Sequence, residues 1–562
     1  ENNTALGRDT LELNTTGSKN VAVGRDALAA NTTGNDNTAA GHEALDANTT
    51  GTSNTAIGRK ALSTNTTASS NTAVGHSSLE LNTTGTDNAA VGHQALEANT
   101  TADNNTAVGA KALKLNTTGS ENVAIGSYAL DANTTATFNT AIGYRSLGAN
   151  STGSAQTAVG GDALRENTTG ANNTAVGSGA LVANTTASDN TAIGRSALLA
   201  NTTGSNSVAV GRDALAANTD IGGQTAVGHS ALKANTLGQS GVAVGQNALS
   251  ANTSGSYNVA IGHSSLVVNT TGANNTAVGY AALTASTTGQ KNVAIGTSAG
   301  IAITTGELNT LVGYQAGKTD TGTGNTAIGG NALEDNTASN NTAVGREAAA
   351  NNTTGASTTA VGYRSLYANT EGGANTALGY ASLYSNTTGG NNVAIGTNAL
   401  EDSTTSSSHV AVGYNALMNN TTANSNTAVG RDALRTTTTG QENTAIGHNA
   451  LYSNTAHENT AVGYRAMITN SSGSGTAVGT MALSAQTTGT HNTGVGYSVL
   501  KENTTGTNNI AVGSYALDAN TTASDNTAIG TWALSSNTTG HSNTASGLNS
   551  LVANTTGSYN AA

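Results

Sequence analysis

The chain of 562 residues has no cysteine and no proline, and only one phenylalanine and one tryptophan. The absence of cysteine excludes disulfides and thiol chemistry. Charge is also scarce, at 9% of residues, and the net charge of −12 is spread thinly, with no acidic tail or basic block. A nucleic-acid partner needs a positive stripe to neutralise phosphates, and 20 Lys plus Arg scattered over this length do not make one. No apolar run approaches the ~20 residues of a membrane span. What is abundant is glycine, threonine, asparagine and alanine. That composition alone suggests a disordered tract. Disorder goes with few β-branched residues, however, and here Val, Ile and Leu return in strict register.

The register is a seventeen-residue repeat, idealised as N-T-A-V-G-x-x-A-L-x-x-N-T-T-G-x-x and numbered here from its first Asn. It begins at Asn3, recurs at Asn20, Asn37, Asn54 and Asn71, and runs through 33 complete copies before a partial copy, Asn560-Ala561-Ala562. A unit this short buries no apolar face alone and is stable only when stacked on its neighbours. An ordinary chain of this length implies three or four domains. Nothing between the copies reads as a linker, so the sequence predicts one repeat array over 1–562. The start at Glu1 without a Met, and the stop within a repeat, read as a processed or partial piece of a longer protein.

Asn-Thr-Ala-Val-Gly is a short extended run punctuated by glycine. Asn-Thr-Thr-Gly reads as a turn, because Asn and Gly tolerate a left-handed backbone. No apolar stripe of helical period extends far enough for a helix. Seventeen residues make two or three short strands with their corners, stacked at the ~4.8 Å strand spacing. The expected fold is therefore all-β, a parallel β-solenoid of the β-roll or β-helix kind, and its 33 coils imply a rod of roughly 160 Å.

Invariance locates the core. Gly closes the first strand in all 33 copies, and Leu holds the ninth position in 29, the exceptions being Gly300, Gly317, Ala349 and Met467. Ala precedes the Val or Ile in 31, the exceptions being Leu311 and Gly494. A row of stacked Leu buries a continuous strip worth about 25 cal/mol per Å². Asn at positions 1 and 12 predicts amide ladders from coil to coil. The segment 286–352 departs from the pattern: Gly300 and Gly317 replace core Leu, Ile303 and Asp320 replace corner Asn, and the period shortens to sixteen at Asn325 and Asn341. Each lost Leu is worth ~2–5 kcal/mol, which predicts a thinned, flexible or bent stretch there. Two further sixteen-residue copies, starting at Asn443 and Asn459, keep Leu451 and Met467.

Neighbouring side chains of a strand point to opposite faces. Ala22 and Val23, like Ala56 and Ile57, are therefore apolar on both. One face lines the coil. The other is an apolar ribbon beyond the few hundred Å² a soluble monomer tolerates, which predicts packing between chains around a shared axis.

Runs such as Asn173-Thr174-Ala175-Val176-Gly177 and Asn122-Val123-Ala124-Ile125-Gly126 resemble the head repeats of trimeric autotransporter adhesins. The longer unit, with Ala-Leu and Asn-Thr-Thr-Gly, is similar to repeats of phage tail fibres and large bacterial surface proteins. The resemblance covers essentially the whole chain and implies a threefold, homotrimeric parallel fibre, extracellular, on a cell surface or in a virion tail. The seventeen-residue period is longer than is typical of adhesin heads. No membrane-anchor barrel or folding-chaperone domain of those families is visible in this sequence.

The position after the invariant glycine interchanges His, Arg, Tyr, Ser and Thr, so packing does not dictate it. It holds Tyr144, Tyr280, Tyr314, Tyr363, Tyr380, Tyr414, Tyr464 and Tyr497, with Arg25, Arg59, His76 and His93 among others. Two readings stand: a solvated edge that accepts any polar residue, or a lateral stripe contacting glycans or a host receptor, Tyr and Arg being favoured contact residues. His76 and His93 fall one coil apart, about 5 Å. Zinc needs three or four convergent ligands, so no metal site is expected there. The calcium-binding nonapeptide is absent, and no catalytic constellation or cofactor motif appears. Asn14-Thr15-Thr16 and its copies match the glycosylation sequon, though turn and ladder roles account for them without a sugar. Thr rows are similar to the arrays of ice-binding solenoids, but adjacent Thr15 and Thr16 point apart, which leaves that reading minor. The function expected is a structural one: a rigid spacer, the shaft or extended head of a surface appendage, adhesin or phage fibre. The alternative is an adhesive fibre that binds through the Tyr/Arg/His stripe.

Overall fold

A computed structural model describes residues 2–562. It is all-β, and each copy of the repeat closes one coil of a parallel β-solenoid. The chain divides into two units, Glu1–Ala281 and Ala282–Ala562. In the first, three-residue strands run from Thr4–Leu6 and Val21–Val23 through to Thr276–Val278. In the second, they run from Val293–Ile295 to Thr544–Ser546. Within a unit each strand pairs in parallel with the strand of the next coil and in strict register: Thr4 faces Val21, Ala5 faces Ala22 and Leu6 faces Val23.

Each regular coil has one such strand, not the two or three expected. The cause is the backbone. Gly24, at position 5, has φ 129°, and Asp26, Leu28 and Asp36, at positions 7, 9 and 17, have φ 61°, 51° and 56°. Left-handed residues at these points break any longer extended run. A left-handed L-residue costs roughly 1–2 kcal/mol, and it is Leu that adopts this conformation at position 9. Full burial of a Leu returns about 1.5–3 kcal/mol, and the Leu28 amide donates to the Ala44 carbonyl of the next coil at 3.0 Å. Burial and ladder bonding together carry the strain.

Gly24 is invariant for a steric reason as well. A Cβ on it would stand 2.5 Å from the Gly41 carbonyl oxygen in the next coil, and that oxygen is backbone. The Asn-Thr-Thr-Gly corner, by contrast, is not left-handed, because neither Asn31 nor Gly34 has positive φ. The Asn31 side chain holds the corner instead, with Nδ2 donating to the Gly34 carbonyl at 3.1 Å and to Asn14 Oδ1 at 2.9 Å. The second contact is one rung of an amide ladder: Asn48 donates to Asn31 (2.8 Å), Asn65 to Asn48 (3.0 Å) and Asn82 to Asn65 (3.1 Å). The ladder has a polarity, each Nδ2 giving its proton to the coil before. At position 1 the arrangement differs. Asn37 Nδ2 crosses the coil to the Gly51 carbonyl (2.8 Å), and its Oδ1 accepts the Asn54 backbone amide (2.9 Å). These asparagines are buried beside Ala and Leu, so amide columns run through an otherwise apolar interior, and most of their polar atoms are hydrogen-bonded as burial demands.

The irregular stretch 286–352 is refilled, not hollow. Leu311 is fully buried and lies against both Gly300 and Gly317. Ile303, replacing a corner Asn, is also fully buried. Restoring Leu at Gly300 or Gly317 would therefore overfill the core. At Gly494, where Ala is missing, Val499 fills the space: a Cβ on the glycine would stand 3.1 Å from its Cγ1. The sixteen-residue copies keep the strand register, Thr310 facing Thr326 and Thr326 facing Thr342, so the corner absorbs the missing residue. At the second such pair the corner flank becomes extended, and Ser453–Asn454 pairs in parallel with Thr469–Asn470.

Candidate functional site

The surface with the most regular chemistry is the outward face of the strands. In the regular strands the central Ala is buried and its two neighbours point outward. In the first unit Val23 is 37% exposed and Ile57 42%; in the second, Ile328 is 40% and Ile529 47%. Position 2 adds Thr or Val beside them, for instance Thr191 facing Val208 in the ladder, with Ile193 facing Val210. The face is thus two mainly β-branched columns in register, and among the described residues no strand places a charge on it. This is the ribbon expected from Ala22 and Val23: Ala turns inward and Val outward.

The tyrosine row stands on the edge that follows the glycine corner. Tyr144, Tyr280, Tyr314, Tyr380, Tyr414, Tyr464 and Tyr497 are exposed, and Tyr363 is half-buried. The structure does not gather them into one site. Tyr144 and Tyr280 belong to the first unit and the other six to the second. Only Tyr363 and Tyr380 are in adjacent coils, with ring centroids 5.5 Å apart and planes 29° apart. Tyr280 stacks in the same way on His263 (5.5 Å, 11°). Rings stacked along the coil axis spend their faces on one another and turn their edges outward. Tyr497 meets Tyr515 edge-on, and Tyr515 stacks on Trp532. The row is a string of separate small clusters, several of them capped by Arg, as Tyr363 is by Arg364 at 5.2 Å.

The His76 and His93 rings stack at 5.3 Å and 9°, so their in-plane lone pairs run side by side and do not converge on a metal. A cluster that sequence spacing did not single out joins Asp26, His42 and Glu43, whose ligand atoms lie within 4.8 Å of one another. Arg25 occupies the same cluster, 3.2 Å from Asp26 and 3.7 Å from Glu43, and it also contacts the His42 ring. With a guanidinium already among the carboxylates, the group is an ion-pair network. Thr hydroxyls at position 13 are committed too: Thr32 Oγ1 donates to the Thr49 carbonyl at 2.9 Å and Thr49 Oγ1 to Thr66 at 3.0 Å.

Two titratable groups, Asp320 and His409, stand in place of interior Asn. Asp320 replaces a ladder Asn, and its carboxylate accepts from Gly322 N (2.9 Å), Asn325 Nδ2 (3.0 Å) and Asn336 Nδ2 (2.9 Å). Burial nevertheless pushes its pKa up to about 6. His409 replaces a position-1 Asn and reproduces its bonds. Its Nε2 donates to the Ala423 carbonyl at 2.6 Å, and its Nδ1 accepts the Asn426 amide at 3.1 Å. Burial lowers its pKa. Compared with the profiles of known protein families and with curated proteins, the chain matches none.

Proposed function

We propose that the chain is the structural element of an extracellular fibre assembled from three copies, serving as the shaft or extended head of a cell-surface appendage, adhesin or phage tail fibre. One observation carries this reading: a Val, Ile or Leu stands exposed on the outward strand face in coil after coil of both units. A contiguous apolar surface of that kind exceeds what a soluble monomer tolerates and marks an interaction site. The partner that matches a ladder of this period is another copy of the same ladder. The resemblance to trimeric adhesin heads and tail fibres favours three copies and an extracellular or virion setting. The role is mechanical, with coil-to-coil hydrogen bonding resisting extension while the fibre holds a tip at a distance.

Sedimentation of the folded protein tests the assembly. The expected species is a trimer, and Lys at Ile57, Val91 and Ile125 together should shift it to monomer by placing charge in the interface. A wild-type protein that sediments as a stable, folded monomer overturns the reading.

A further inference from the structure

Position 10 carries a side chain in every copy of the repeat but one, and the exception is Gly148. Its neighbours in that column are Asp131 in the coil before and Arg165 in the coil after. The missing side chain opens a notch of about 640 Å³ between a carboxylate and a guanidinium, lined also by Tyr128, Arg145, Ala149 and Glu166. That volume falls within the ~300–1,000 Å³ of ordinary small-molecule sites.

The lining alternates in charge. Arg165 is held by Glu166 at 2.7 Å and by Asp162 at 3.5 Å. Arg145 has no carboxylate within ion-pairing reach among the described residues; its guanidinium lies 5.1 Å from the Tyr144 ring centre. Asp131 is half-buried, and desolvation raises its pKa, opposed by the nearby Arg145, Lys111 and Lys114. Tyr128 supplies an aromatic wall, steadied by Tyr144 edge-on at 6.3 Å and by Lys111 at 5.1 Å. An anion would meet two carboxylates here and a cation two guanidiniums. A ligand that gives and accepts hydrogen bonds at short intervals, carries no charge and has one apolar face satisfies all of them.

We propose that this notch is a binding subsite for a single neutral sugar ring of a glycan. Asp131 and Glu166 accept hydrogen bonds from neighbouring hydroxyls, Arg145 donates to a hydroxyl or ring oxygen, and Tyr128 packs against the ring. The site does not rest on the fibre reading. Positions 7, 10 and 11 lie past the glycine corner, off the outward strand face, so a monomer presents the notch as a trimer does.

Saturation-transfer NMR on the whole chain, with the methyl glycosides of glucose, galactose, mannose and glucuronic acid, tests it. At least one neutral glycoside is expected to bind, with a Kd on the order of 1 mM. Gly148→Leu should weaken binding by at least about tenfold, since it fills the notch. A Cβ at Gly148 meets the Arg145 carbonyl at 3.3 Å, Asp131 Oδ1 at 3.6 Å and the Tyr128 carbonyl at 3.8 Å, so the coil accommodates it with a small shift. Arg145→Ala should weaken binding comparably and serves if the first variant fails to fold. Ala216→Leu, at the same position four coils on, should change nothing. No binding of any neutral glycoside, binding of the glucuronide alone, or undiminished binding by folded variants of Gly148 and Arg145 overturns the proposal.

Discussion

Leu311 occupies the space that Gly300 leaves empty: its Cδ1 lies 2.7 Å from where the Gly300 Cβ would stand. Its Cδ2 lies 2.8 Å from the corresponding point at Gly317, so one leucine does the work of two. Leu311→Ala should therefore cost at the upper end of the ~2–5 kcal/mol expected for a buried leucine, because it empties two coils at once. Gly300→Leu alone should also destabilise, by ~1–3 kcal/mol of overpacking against Leu311, Leu283 and Ile303. Combining the two should recover part of the loss, since Leu at φ near +50° is tolerated at this position in the other coils. Amide hydrogen exchange across residues 286–352 reads all three variants locally. Additive losses in the double variant would show that these residues do not share one space.

The repeat period, the invariant glycine and the Leu and Asn columns were enough to read a parallel β-solenoid with amide ladders from residues alone. The outward Val and Ile followed from strand alternation. What escaped was conformational. Left-handed Leu is improbable by intrinsic preference, and only the inter-coil hydrogen bonds and burial of Leu28 make it pay. Asn31 looked like a left-handed corner residue, yet its value lies in its side chain. A signal for the true left-handed sites was present at position 17, rich in Asp36, Asn104, Asn172 and Asp189, residue types that enter that region readily. The notch at Gly148 was legible only once coils were stacked, because it is a property of three consecutive copies.

Asp320 should make the second unit more stable in mild acid. Its folded pKa of about 6 lies above the usual carboxyl value, so the fold binds its proton more tightly than the unfolded chain does. Its contribution is fully present below about pH 4 and is lost as pH rises through 6. That tighter hold on the proton is worth roughly 3 kcal/mol. Unfolding midpoints of the wild type and Asp320→Asn, measured from pH 4 to 8, should diverge in slope. The variant lacks this titration, and parallel profiles would refute the assignment.

His409 should act in the opposite sense. Its folded pKa is lowered, so the stability it confers is present above the free imidazole value of about 6.5 and is lost as pH falls below it. The cause is desolvation inside the coil, which disfavours the imidazolium; a second proton on Nδ1 would also displace the Asn426 amide that Nδ1 now accepts. His409→Asn restores the repeat's own residue and should remove the effect. Exchange of the Asn426 amide between pH 7 and 5 reports it directly, accelerating beyond the intrinsic rate in the wild type and not in the variant.

The polarity of the amide ladder makes a final prediction, about which substitutions an interior Asn tolerates. Asn65 Nδ2 donates both to Asn48 Oδ1 and to the Ala68 carbonyl, each at 3.0 Å, while its Oδ1 accepts from Asn82. Aspartate keeps the accepting side and loses both donations, leaving a buried carboxylate facing two oxygens. Asp320 escapes this at one end because the coil before it presents Ile303, which offers no oxygen in need of a donor. Asn65→Asp should therefore destabilise the first unit far more than Asn65→Ser, which keeps one donor and adds no charge. Each unsatisfied buried group costs about 1–3 kcal/mol, and more when charged. The difference should shrink at pH 4, where the carboxyl regains a proton to donate. Thermal unfolding of the two variants at pH 7 and pH 4 decides it, and an Asp variant as stable as the Ser variant at pH 7 would mean that the ladder carries no directional constraint.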